Sequence, residues 1–139
     1  MRKRTKAREL TLKFLYQIDI TKDDWQNALD DFWLTRNVKA EIKNFANILI
    51  KGTFDKLDDI DNIIAKRAEN WQLRRMAIVD RNVLRLACFE LLYLLDIPAK
   101  VSINEAINLA KKYGDVDSGK FVNGILDRIK KDIVDKPKK

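Results

Sequence analysis

Residues 79–95 read VDRNVLRLACFELLYLL. Val83, Leu84, Leu86, Ala87, Phe89, Leu91, Leu92, Leu94 and Leu95 leave this segment without a continuous polar face. A helix that is apolar nearly all round is surrounded by protein. The segment is therefore expected to be the central helix of an all-α fold, or to give part of its surface to another protein. Asp80, Arg81, Arg85 and Glu90 are its polar exceptions. Asp96-Ile97-Pro98 ends it, because the residue before a proline is pushed out of the helical region.

Beyond Pro98 the chain reads PAKVSINEAINLAKKYGDVDSGKFVNGILD over residues 98–127, two helices joined at a sharp corner. Ser102 and Glu105 have the spacing of a capping box, and Ile103, Ala106, Ile107 and Ala110 follow on one face. Gly114 offers a left-handed C′ position. Asp117 or Ser118 is expected to cap the second helix, whose apolar face is Phe121, Val122, Ile125 and Ile129. The corner gathers Asp117, Ser118, Lys120, Phe121, Asn123 and Gly124. It has two readings: Phe121 in the core with Gly124 at a helix crossing, or an exposed ring and an open backbone that receive a nucleobase.

Toward the N-terminus, residues 69–80 form a connection with one buried-looking ring, Trp71. A long helix is expected over about residues 38–68, with Ile42, Phe45, Ala46, Leu49, Phe54, Leu57, Ile60 and Ile64 as its stripe. Gly52 inside it marks a close helix crossing or a kink, and Asp55, Asp58, Asp59 and Asp61 read as a solvated acidic face. A shorter helix starts near residues 21–24 and carries Trp25, Leu29, Phe32 and Trp33. The first helix spans residues 4–20, with Ala7, Leu10, Thr11, Phe14 and Ile18 facing the core and Tyr16 off that stripe, either core or exposed beside the basic residues. The result is six or seven helices in two packed sub-bundles. We read one domain over residues 1–139, with an N-terminal half at about 1–70 and a C-terminal half at about 71–135.

Composition narrows the chemistry. Four glycines and two prolines among 139 residues leave little material for hairpins. The single Cys88 cannot form an internal disulfide or a multi-cysteine metal site, and its apolar neighbours mark it as an inert buried thiol. With no histidine, the commonest general base and metal ligand is missing. No catalytic residue, metal or cofactor is expected. No run is long and apolar enough for a membrane span, and no secretory signal is visible, so the expectation is cytoplasmic.

The net charge of +7 is concentrated at the ends. Arg2, Lys3, Arg4, Lys6 and Arg8 crowd the start, and Lys136, Lys138 and Lys139 the finish. Cations at a helix N-terminus sit at the wrong pole of its dipole, a small destabilisation that an anionic ligand relieves. Such an arm has two readings: a solvated, frayed tail, or a cationic segment that neutralises the phosphates of a polyanion such as RNA.

RTKARELTLKFLYQIDI, then WQLRRMAIVDRNVLRLACFELLYLLDIPAKVSINEAINLAKKYG, then DSGKFVNGILD together resemble the NusB family of bacterial transcription antitermination factors. The INEA, LAKKYG and KFVNG strings are specific, whereas residues 21–60 carry little family signature. The resemblance implies a NusB-like all-α fold of two sub-bundles without catalytic activity. It implies binding to boxA, a single-stranded RNA element of ribosomal RNA transcripts, together with NusE, the small-subunit ribosomal protein. Other Nus factors and RNA polymerase are indirect partners. Carried over, the RNA-binding residues are Arg2, Lys3, Arg4, Lys6, Arg8, Tyr16, Asp117, Ser118, Lys120 and Phe121, and partner contacts fall on Asp80, Arg81 and Glu90. Met76-Ala77 stands where many relatives have a Leu-Pro type pair, which alters the approach to the central helix. The alternatives are an accessory domain of a ribosomal RNA methyltransferase, and a protein-interaction scaffold that binds no RNA.

Overall fold

The helix over Ile78–Tyr93 lies at the centre of the computed structural model, which describes residues 2–69 and 71–136. Lys138 and Lys139 of the basic tail lie outside the described residues. In chain order the helices are α1 (Lys3–Thr21), α2 (Trp25–Leu34), α3 (Ala40–Asp55), α4 (Leu57–Arg67), α5 (Ile78–Tyr93), α6 (Ala99–Tyr113) and α7 (Ser118–Ile129). A 3₁₀ turn at Leu73–Arg75 leads into α5, and a π-helical turn at Lys130–Val134 follows α7. Among the described residues there is no strand, so the all-α expectation holds.

Helix α5 packs against α1, α3, α4, α6 and α7, which is why nearly every side of it is apolar. Two cores result. Ala7, Phe14 and Ile18 of α1 meet Leu29, Phe32 and Trp33 of α2 and Ala46 and Ile50 of α3. The other core gathers Ile60 and Ile64 of α4, Val83 to Leu91 of α5, Ala106 and Leu109 of α6, and Val122, Leu126 and Ile129 of α7. Leu12 and Leu15 of α1 and Leu49 of α3 also enter this second core. Helices α1 and α3 thus serve both cores, and α4 packs with α5 and α7.

Four local expectations are corrected. The single helix expected over 38–68 is two, divided at Lys56. Asp58 and Asp59 open α4 and Lys66 and Arg67 close it, so these charges match the dipole of a separate helix. Gly52 does mark a close crossing: a Cβ there would collide with the Phe89 ring of α5. Ser102 and Glu105 are not a capping box, because α6 begins three residues earlier, after Pro98. Gly114 is extended rather than left-handed. It is needed because a Cβ would come within 2.5 Å of Ser118 Oγ and 2.8 Å of the Ala110 carbonyl. Trp71, finally, is not buried but 53% exposed.

Candidate nucleic-acid interface

Side-chain pairs fix how the arm meets the corner. Arg8 pairs with Glu90 and Asp19 with Arg81, so α1 and α5 run antiparallel. Thr5 donates to Glu105, Lys112 pairs with Glu9, and Lys13 lies over Tyr113, so α1 and α6 run the same way. The charged start of α1 therefore lies beside the start of α6. The middle of α1 lies beside the end of α6, where the corner to α7 begins.

At the arm, Lys3 Nζ is 2.9 Å from Glu41 Oε2 in an exposed pair. The Arg4 guanidinium lies 4.5 Å from the Phe45 ring centroid. Arg2 and Arg4 line a shallow groove of about 210 Å³ with Pro98 and Val101 of the α6 start. Neither α1 nor α6 has an acidic residue in its first turn or a side-chain cap. Both helix starts therefore keep their positive poles uncompensated next to these cations.

Arg8 departs from the expected pattern. It is 2% exposed and points inward. Its Nε and Nη2 donate to Glu90 Oε2 and Oε1, both at 2.8 Å, and its Nη1 donates to Glu105 Oε1 at 3.2 Å. Ser102 Oγ donates to Glu90 Oε1 at 2.9 Å and Thr5 Oγ1 to Glu105 Oε1 at 2.7 Å. Arg8 and Glu90 are thus spent on each other, tying α1 to α5 and α6, and neither presents a free charge to a ligand. The cationic arm has three carboxylates of its own chain within reach, those of Glu41, Glu90 and Glu105.

Arg81 is similarly engaged. Its Nε and Nη2 donate to Asp19 at 2.6 and 2.8 Å, and Asn82 and Arg85 add bonds of 2.9 and 3.2 Å to the same carboxylate. Arg85 also forks onto Asp61 at 2.8 and 3.0 Å. Burial alone raises the Asp19 carboxyl. The hydrogen bonds from Arg81, Asn82 and Lys22 outweigh it and hold the group well below the usual carboxylate range. Burial pushes the Cys88 thiol up to about 12, so it stays protonated at neutral pH.

Tyr16 is 39% exposed. Lys6, Lys13 and Tyr16 fall seven and three residues apart, so they share one face of α1. Exposed Lys13 and Lys112 approach the Tyr113 ring at 5.9 and 5.4 Å. The hydrogen bond to Glu9 raises the Lys112 ammonium above its ordinary value. Sequence reading missed Lys13, Lys112 and Tyr113. The seven-residue step from Lys6 to Lys13 was the available signal.

At the corner, Asp117 and Lys120 are exposed and Phe121 is half-buried. Asp117 stands at the N-cap of α7 without a capping bond. Ser118 is 2% exposed, and its Oγ accepts the Asp115 N–H at 2.9 Å, so its hydroxyl braces the turn. Phe121 rests one edge on the second core and meets Trp71 edge-to-face at 6.1 Å and 80°. Trp71, Arg75, Asp80, Asp117 and Phe121 line a cleft of about 460 Å³ there. Asp80 Oδ1 is enclosed and has no hydrogen-bond partner. Phe121 thus serves as both core and rim. Among the described residues no His, Cys, Asp or Glu cluster is placed to hold a metal, and no helix is long and apolar enough to cross a membrane.

Known proteins share this fold. The family model described as the NusB family matches residues 5–131. The transcription antitermination protein NusB of Thermodesulfovibrio yellowstonii is 45% identical over 141 residues, covering 94% of this chain and 93% of that protein. The same-named protein of Anaeromyxobacter dehalogenans is 49% identical over 128 residues, covering 91% and 89%. Among solved structures, T. maritima NusB superposes with a TM-score of 0.84 at 41% identity over 95% of this chain and 92% of that one. A chain from the crystal structure of antitermination factors NusB and NusE in complex with dsRNA gives a TM-score of 0.85 at 31% identity, over 94% and 98%. A family match through nearly the whole length, on the same fold, leaves one conclusion: the chain belongs to the NusB family.

Proposed function

We propose that this protein is a transcription antitermination factor that binds boxA-type single-stranded RNA of ribosomal RNA transcripts together with the ribosomal protein NusE. It acts within a Nus-factor complex on RNA polymerase, in the cytoplasm, as a single domain and without catalysis. The observation that carries this reading is that α1 and α6 flank α5 and run the same way, linked by side chains from Thr5–Glu105 to Lys13–Tyr113. That placement joins the cationic arm to the aromatic corner along one face, in a chain whose relatives are named antitermination proteins.

On this reading Arg2, Lys3, Arg4 and Lys6 neutralise phosphates at one end of the RNA site. Tyr16 and the exposed rim of Phe121 offer rings to unstacked bases, each contact worth about 1–3 kcal/mol. Asp117 and Lys120 supply polar contacts between them. Arg8 and Ser118 hold the two walls in place rather than touch RNA. Asp80 is the residue we keep for the seam with the ribosomal partner. Arg81 orients α5 through Asp19, and Glu90 stays inside.

The test is fluorescence anisotropy with labelled RNA, comparing a boxA-like oligomer, its scrambled counterpart and a double-stranded form, with and without the ribosomal protein. The expected result is preferential binding of the single-stranded boxA-like oligomer, tightened by the partner. Equal binding of boxA-like and scrambled oligomers, or no binding even with the partner present, would end the antitermination reading.

A further inference from the structure

Three of the four glycines make room for a neighbour, since a Cβ at Gly52, Gly114 or Gly119 would press on Phe89, Ser118 or Lys111. Gly124 does not. It is exposed within α7, its φ is not positive, and a Cβ there would meet nothing within 4 Å. A glycine inside an exposed helix is less stable than alanine, and neither packing nor backbone conformation accounts for this one.

The space above Gly124 belongs to a groove of about 270 Å³ whose other walls include Trp71, Phe121, Lys120, Arg128 and Glu69. Its size is near the lower end for small-ligand pockets, about 300 Å³, suited to one planar ring. Trp71 is 53% exposed and meets Phe121 edge-on, so no parallel ring covers the indole. Lys120 and Arg128 have no carboxylate partner among the described ion pairs, although Arg128 Nη1 donates to the Arg67 carbonyl. Trp71 and Phe121 also line the 460 Å³ cleft at the corner, so the two hollows share one aromatic partition.

We propose that the Gly124 groove is a second nucleobase subsite. A base splayed from single-stranded RNA crosses the Trp71–Phe121 partition, stacks on Trp71 and lies over the bare backbone of Gly124. The adjoining phosphates face Lys120 and Arg128. The inference deepens the RNA-binding reading and rests on it. Two cations against one carboxylate favour a polyanion over an apolar peptide side chain, and stacking of this kind tolerates any base.

Gly124→Leu fills the hollow with a good helix former, and Trp71→Ala removes the platform. The RNA is a boxA-like oligomer extended at both ends, bound to the full chain in the presence of the ribosomal protein. Each variant is expected to weaken RNA binding about ten-fold, equivalent to about 1.4 kcal/mol, with the melting temperature of Gly124→Leu equal to or above that of the unaltered chain. An abasic nucleotide stepped along the RNA should cost a similar factor at one position in the unaltered protein and nothing there in Trp71→Ala. Unchanged RNA affinity in Gly124→Leu overturns the subsite while leaving boxA preference, and so the functional reading, intact. Failure of the unaltered chain to prefer boxA-like RNA sinks the functional reading itself. Loss of affinity for the ribosomal protein, with RNA binding by the chain alone unaffected, gives the groove to a protein and overturns the proposal. Should Trp71→Ala fail to fold, Gly124→Leu decides.

Discussion

Removing one member of a buried ion pair leaves the other charged and out of water, and Arg8 with Glu90 is the pair here most enclosed on both sides. Glu90→Ala takes two of the three carboxylate bonds from the guanidinium, leaving Glu105, and strands the Ser102 hydroxyl, so it should cost up to about 3 kcal/mol, read as a lower midpoint in urea with the slope unchanged. At the other end of α1, the Asp19 carboxylate makes an acid-sensitive contribution to stability. Its folded pKa lies below the unfolded value of about 3.9, so its contribution is complete above about pH 4 and is lost as pH falls further. Asp19→Asn should therefore be less stable at neutral pH, with the gap from the unaltered protein narrowing as pH drops from about 4 toward 2 in melting scans. The Arg8–Glu90 pair had a trace in the sequence. Arg8 lies four and seven residues before Leu12 and Leu15, on a face that turns inward, and Glu90 is an acid set among apolar residues well inside α5. A count of cations in the first eight residues could not use that trace, because it takes the opposite charges, eighty residues apart, to show that they meet.

At the scale of elements, helix α5 was legible because burial on all sides writes itself as apolarity on all sides. The break at Lys56 was not, because the apolar stripe of α3 continues into α4 with little change of phase and only the charges around it mark two helices. One turn before that break, α3 crosses α5 closely, where Phe89 lies against Gly52. The same contact makes a prediction against propensity. Alanine is favoured over glycine in a helix by up to about 1 kcal/mol, yet Gly52→Ala should destabilise by about 1–3 kcal/mol, since its methyl group overpacks a ring that is 6% exposed and stacked on Tyr93. Trimming that ring, in Gly52→Ala with Phe89→Leu, should recover part of the loss in thermal melts. If Gly52→Ala alone raises the melting temperature, the two helices do not cross as closely as described. The capping-box expectation failed for a related reason: Ser102 and Glu105 do serve as hydrogen-bond partners, but to α5 and α1 rather than to their own helix end.

For the whole molecule, the charge that matters is the charge left over once internal pairs are made. The net +7 suggests a polyanion partner, but Arg8 is consumed by Glu90 and Glu105, so the arm offers four cations to RNA: Arg2, Lys3, Arg4 and Lys6. Lys3 must first exchange Glu41 for phosphate, a small cost because that pair is exposed. Each phosphate neutralised on a single strand contributes about 0.7 to the fall of log K with log salt, so the arm alone predicts a slope of about 3. Anisotropy titrations from about 50 to about 200 mM salt, the span over which such contacts weaken markedly, would measure it. Lys6→Gln should lower the slope by about 0.7. Arg8→Gln should lower the melting temperature and leave the slope where it was, because its charge never faced the RNA. Lys13→Gln separates two sizes of interface. A further drop of about 0.7 extends the phosphate track along α1 to the Tyr113 ring, and no change confines it to the first two turns. A slope near zero for the unaltered protein would mean that the cationic arm is not what holds the RNA, and the electrostatic half of the functional proposal would fall with it.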